Sequence, residues 1–112
     1  MNYEMLEGFR RRLLGSRLSL LERRKRVLNE EQELLAVQEP DWEDTAAAVT
    51  AASVLASLGE RERRDLARVQ ASLDRIERGS YGECTACGGA IERDRLRVLP
   101  DTDRCSGCAP AN

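Results

Sequence analysis

The 112-residue chain contains no histidine. That absence removes Ser-His-Asp and Cys-His catalysis, histidine proton shuttling and any imidazole metal ligand together. Aromatic residues make up only 4% of it: one Phe, one Trp and two Tyr. A β-sandwich or barrel wants regular aromatic and β-branched strands, so the chain reads as helical. No apolar run approaches the roughly 18 residues that cross a bilayer. The opening Met1-Asn2-Tyr3-Glu4-Met5-Leu6-Glu7 has neither a basic nor an apolar leader segment, so a cytoplasmic location without membrane association is expected. Eighteen basic residues against 20 acidic ones leave a net charge of −2. That balance argues against a dedicated nucleic-acid binder, which must neutralise many phosphates. No nucleophile–base pair or phosphate loop is visible, so the chain is not read as an enzyme.

What the chain does contain is helical spacing. Over positions 3–37, Leu6, Leu13, Leu20, Val27 and Leu34 recur every seven residues, shadowed by Leu14, Leu21, Leu28 and Leu35. Such a repeat keeps one stripe facing a partner helix. Pro40 makes a helical Glu39 unfavourable and ends the first helix. A second pattern over 45–78 carries Ala52, Leu55, Leu66, Val69, Leu73 and Ile76 at 3/4 spacing, with Gly59 and Glu62 at the two positions between. Gly79 suits the left-handed residue that closes a helix. Two amphipathic helices of about 35 residues, each roughly 50 Å long, joined by a short turn, imply an antiparallel hairpin.

Charge is uneven along this rod. Positions 10–26 hold eight Arg or Lys against Glu22, and positions 39–44 hold four acids and no base. A basic run is usually a solvated helix face. Like charges crowded on a projecting loop repel one another unless a partner or ion meets them. Asp41 could instead cap the second helix, with Asp44 adding negative charge at the positive helix end.

Cys84, Cys87, Cys105 and Cys108 form CxxC-x17-CxxC. Two residues between thiolates let a tight turn present both sulfurs to one ion, and two such knuckles complete a tetrahedron. A CxxC redox pair wants a βαβ context, and disulfides want an oxidising compartment; neither is indicated. One structural zinc with no open coordination position is expected, with Ile91, Leu96, Val98 and Leu99 as a small core beside it. The fold class is thus all-α dominated: a long antiparallel coiled-coil hairpin over 1–79 with an acidic tip at 39–46, and a small four-cysteine zinc-finger module over 80–112.

The stretch Gly79-Ser80-Tyr81-Gly82-Glu83-Cys84, with Cys87-Gly88, Ile91, Arg95-Leu96, Pro100, Cys105 and Cys108, resembles the DksA/TraR family of zinc-finger transcription factors. Asp41-Trp42-Glu43-Asp44-Thr45-Ala46 fits the family's D-x-x-D-x-A tip motif, which carries over to Asp41, Asp44 and Ala46. The resemblance implies a monomeric regulator that binds RNA polymerase without reading DNA sequence. Its coiled coil would enter the secondary channel, and its tip would alter the stability of promoter complexes there. Trp42 is a candidate contact anchor beside those acids. The chain is expected to lack the N-terminal extension and C-terminal helix with which longer members engage polymerase and the alarmone ppGpp; compact TraR-like members act without ppGpp. The alternative is a Gre-like factor whose Asp41 and Asp44 help polymerase handle a metal ion during transcript cleavage. A DNA-binding zinc ribbon is disfavoured by the four Arg and five acids over 83–112.

Overall fold

A computed structural model describes residues 1–38 and 49–109, with the backbone alone over 35–38. Four helices follow one another: α1 (Tyr3–Gln38), α2 (Ala51–Ser57), α3 (Glu60–Arg78) and α4 (Arg93–Val98). The molecule measures 61 × 31 × 20 Å, with a radius of gyration of 18.7 Å. A compact chain of this length would have a radius near about 13 Å, so the shape is that of a rod. Its length is set by α1, whose 36 residues rise through roughly 54 Å.

Asn2 starts α1: its side-chain Oδ1 accepts the Met5 N–H at 2.8 Å, removing one of the orphan donors of the first turn. α1 packs against both α2 and α3. Arg17 reaches Gln70 and Arg24 reaches Glu62, so rising numbers in α1 meet falling numbers in α3 and the helices run antiparallel. Of the expected stripe, Leu13 is buried and Leu6, Leu20 and Val27 are half-buried, whereas Leu34 stands 64% exposed.

The second helix departs from the expected continuous run over 45–78. Its N-cap is Thr50, which exchanges hydrogen bonds with Ser53, so the Asp41 cap does not apply to α2. α2 then stops at Ser57, Leu58 and Gly59 are extended, and α3 begins at Glu60. Three side chains explain the break. The Ser57 hydroxyl donates back to the Val54 carbonyl at 2.8 Å, a local bond that competes with helix propagation. The Arg63 guanidinium donates to the Leu58 and Ala56 carbonyls, capping α2. Glu62 accepts the Gly59 N–H at 3.1 Å, capping α3. Gly59 and Glu62, read as stripe positions, are therefore the joint itself. The break also shifts the phase: Val54 and Leu58 turn inward, while Ala52 is exposed and Leu55 about half so.

At the other end α3 closes as expected, with Gly79 at φ 78° in the left-handed region. Beyond it the chain folds back on the hairpin. Phe9 and Leu13 of α1, Val69 and Leu73 of α3, and Tyr81, Cys84, Ile91 and Leu96 make one buried cluster. The expected private core of the finger is corrected on two residues: Val98 is 76% and Leu99 44% exposed. Residues 93–98 form a helical turn, and Leu96 faces inward; Val98, two positions on, lies about 200° round the helix. Ile91 and Leu96 instead pack against the base of the arm.

Candidate metal centre

The thiols of Cys84, Cys87, Cys105 and Cys108 all lie within 4.8 Å of one another, and the Cys87 and Cys105 sulfurs are 3.9 Å apart. A disulfide would need about 2.05 Å, and all four cysteines are free. A tetrahedral ion with bonds of about 2.3 Å would hold its sulfurs about 3.8 Å apart. The donor set therefore fits one Zn²⁺, with every position filled by protein.

The first knuckle is held by its own backbone and by the core. Glu83 pairs with Ala90 as a single antiparallel bridge. The Cys84 N–H donates to the Gly89 carbonyl at 2.7 Å, and the Gly88 N–H donates to the Cys84 carbonyl at 2.9 Å. Gly88 adopts φ 76°, which a side chain would strain, and the turn leaves the Gly89 N–H aimed at the Cys87 sulfur at 3.4 Å. Cys84 is 2% exposed, inside the cluster shared with Phe9 and Tyr81.

The second knuckle closes on its own backbone through the Cys108 and Ala109 N–H groups, which donate to the Cys105 carbonyl. Its lateral support is polar. Arg95 Nε donates to the Arg104 carbonyl at 2.9 Å. The Thr85 N–H and hydroxyl donate to the Asp103 carbonyl. The Ser106 hydroxyl and N–H donate to the two Glu92 carboxylate oxygens at 2.7 and 3.2 Å, and these bonds hold the Glu92 carboxyl below the usual range.

Protons on the sulfurs are uneven. Backbone N–H groups of Cys105, then Cys87 and Ala86, hold the Cys84 thiol down to about 6, against the opposing effect of burial. The Cys108 thiol, crowded by the sulfurs of Cys105, Cys87 and Cys84, is pushed up to about 12. Four sulfurs this close share protons until a cation compensates their charge. Zinc supplies that charge and joins the two knuckles.

Asp41, Trp42, Asp44 and Ala46, the residues of the expected acidic tip, lie outside the described residues. The basic stretch divides in two. Arg24 belongs to the hairpin interior, where it pairs with Glu62, and Arg17 bonds Gln70 at 2.9 Å. Arg11, Arg12, Arg23, Lys25 and Arg26 are exposed. Arg12 and Arg23 line one groove of about 1110 Å³ with Arg61 and Arg68 of α3 and the exposed Val98 and Leu99. That groove was not visible in the sequence, because its walls come from three separate segments.

Residues 79–111 match the prokaryotic dksA/traR C4-type zinc finger family. Over 111 residues the chain is 35% identical to an uncharacterized protein of Aquifex aeolicus, covering 97% of this chain and 77% of the other. It is 32% identical over 108 residues to the RNA polymerase-binding transcription factor DksA of Escherichia coli, covering 96% of this chain and 71% of that one. The fold is similar to that of the RNA polymerase binding protein and transcriptional regulator Dks of Chlamydia trachomatis. That match has a TM-score of 0.60 and 20% identity over 96% of this chain and 85% of the other.

Proposed function

The chain belongs to the DksA/TraR family, and on that premise we propose that it is a transcription regulator that binds RNA polymerase. The observation that carries the reading is the union of a four-thiol metal cluster with the base of a long antiparallel hairpin, through one buried cluster of residues. In this reading residues 80–112 anchor the arm formed by residues 1–79. Cys84, Cys87, Cys105 and Cys108 hold one structural zinc, which contributes to folding and performs no reaction. The protein acts as a binding factor in the cytoplasm, as a monomer and without sequence-specific DNA contacts; no helix among the described residues is long and apolar enough to cross a membrane.

The arm enters the secondary channel of polymerase, and the working end is the acidic segment over 39–46. Asp41, Asp44 and Ala46 act there on promoter complexes, with Trp42 as a contact anchor. A rod with a long dimension of 61 Å is suited to a deep channel. The groove carries Arg12, Arg23 and Arg61 beside the exposed Val98 and Leu99, with Arg68 paired to Asp65 and Asp101 and Glu62 paired to Arg24. The three remaining arginines suit an acidic protein partner.

The test is in vitro transcription from a ribosomal RNA promoter with purified polymerase, with and without ppGpp, comparing the wild type with Asp44→Asn. Asp44→Asn should keep polymerase binding and lose the promoter effect, because the amide preserves shape while removing charge. Absence of polymerase binding by the wild type would overturn the proposal. Rapid 3′ cleavage of backtracked transcripts would replace it with the transcript-cleavage role.

A further inference from the structure

The two knuckles of the metal centre are supported unequally. Cys84 sits in the buried cluster with Tyr81, Ile91 and Leu96. Cys87 of the same knuckle is exposed, and the second knuckle has Ser106 and Gly107 exposed with Cys105 and Cys108 half-buried against that same cluster. Beside the Arg95 bond to the Arg104 carbonyl, a pair of matching clasps fixes it laterally. In each knuckle the residue after the first cysteine carries a hydroxyl, and in each case that residue is held by an acidic residue from outside the knuckle. Thr85 donates its N–H to the Asp103 carbonyl at 2.8 Å, and its hydroxyl to the same carbonyl at 3.1 Å and to Asp103 Oδ2 at 3.3 Å. Ser106 donates its hydroxyl to Glu92 Oε1 at 2.7 Å and its N–H to Glu92 Oε2 at 3.2 Å.

The clasps cross. Asp103 precedes the second knuckle and holds the first, whereas Glu92 follows the first knuckle and holds the second. Glu92 is also the N-cap residue of α4, yet its carboxylate makes no bond to that helix's end. Both oxygens are directed at Ser106, which offers no hydrophobic side chain to hold the loop.

We propose that Glu92 is a positioning residue of the metal centre, and that the Glu92–Ser106 clasp sets how long the second knuckle retains zinc. The inference rests on the zinc reading of the four cysteines. Loss of the zinc would need the two knuckles to part, and the second, with Cys105 and Cys108 half-buried against the cluster, has no ligand seated as deeply as Cys84. A carboxylate that grips both donors of Ser106 opposes that movement. Groups outside the ligand set that orient ligands are worth about 10–100-fold in metal affinity.

The measurement is zinc release from the full chain to excess chelator, followed with a colorimetric zinc indicator. E92A and S106A should each release zinc about 10–100-fold faster than the wild type, with the double variant no faster than the faster single one. E92Q, which keeps one acceptor oxygen, should fall between them and the wild type; D94N, on the exposed side of α4, should match the wild type. Cobalt in place of zinc reads the ligand geometry directly, and its visible bands should shift in E92A and S106A but not in D94N. Should E92A not fold, S106A and E92Q decide the question. Wild-type release from both, or losses in E92A and S106A that multiply in the double variant, would overturn the proposal. A wild-type protein that carries no stoichiometric zinc would overturn the zinc reading and the clasp with it.

Discussion

The Phe9 and Tyr81 rings meet with centroids 5.6 Å apart and planes tilted by 51°. Phe9 belongs to the first helix of the arm and Tyr81 to the segment entering the finger, so this pair joins arm to finger. The Tyr81 hydroxyl goes further and donates to the Pro100 carbonyl at 2.7 Å, tying in the turn after α4.

Phe9→Ala should therefore weaken the whole base rather than α1 alone. Truncating a buried aromatic typically costs about 3–5 kcal/mol. Leu18→Ala, on the same helix but 60% exposed, should change stability by no more than about 0.5 kcal/mol. Urea denaturation followed by circular dichroism separates the two. Equal effects would mean that the shared cluster is not where stability lies.

Tyr81 adds a pH signature. Burial pushes its phenol up to about 12, against the weaker opposing pull of Arg12 and Arg75. The folded value lies above the unfolded one near 10, so the protein holds its proton longer than the unfolded chain does. Stability from this group is complete below pH 10 and falls as pH rises from about 10 to about 12, by up to roughly 2–3 kcal/mol. In Tyr81→Phe the fall should vanish, together with the bond to Pro100. An alkaline limb equal in both proteins, measured by denaturation at stepped pH, would count against the assignment.

Replacing Cys84 by Ser removes both a thiolate and the sulfur that reaches the buried cluster. Zinc content should drop to background and the segment from 80 to 109 should unfold, while α1 and α3 keep much of their helical signal. A strong chelator acting on the wild type should have the same result. Unchanged zinc after the substitution would contradict the four-thiol site.

Charge reversals should sort the arginines of α1 by role. Arg12→Glu with Arg23→Glu alters exposed groove positions, so polymerase binding should weaken, most visibly at low salt, with folding intact. Arg24→Glu should instead destabilise the hairpin, because it faces Glu62 across the α2–α3 joint. The Arg24 hydrogen bond and the Gly59 N–H hold the Glu62 carboxyl below its ordinary value. That contribution is present above about pH 4.5 and is lost as pH falls through the lowered value. Glu62→Gln should remove this part of the acid dependence. Binding assays and acid titration of helicity read the two roles separately.

The parts of this architecture that were legible in the sequence are those written in local spacing. The cysteine pairs declare themselves because two intervening residues are all a knuckle needs, and the heptads of α1 declare a helix with a covered stripe. The α2–α3 joint was hidden because Gly59 interrupts a pattern without forbidding it. The decisive contributions come from Ser57, Glu62 and Arg63, whose caps exist only once the turn is made. Val98 and Leu99 read as core from their apolar character alone, whereas the helical turn over 93–98 directs Leu96 and Val98 to different sides. The common base of arm and finger was beyond sequence reading altogether, since nothing local in Phe9 or Leu13 announces Tyr81, Ile91 or Leu96 as neighbours.

That common base also dictates an order of assembly on the ribosome. Phe9 and Leu13 leave the exit tunnel well before the surfaces that cover them, which are encoded far downstream. Until Tyr81, Ile91 and Leu96 have emerged, the first helix can pair only provisionally with the returning one, its inner face still wet. Closure of the base thus waits on the segment from Tyr81 to Leu96, which locks what the first helix began.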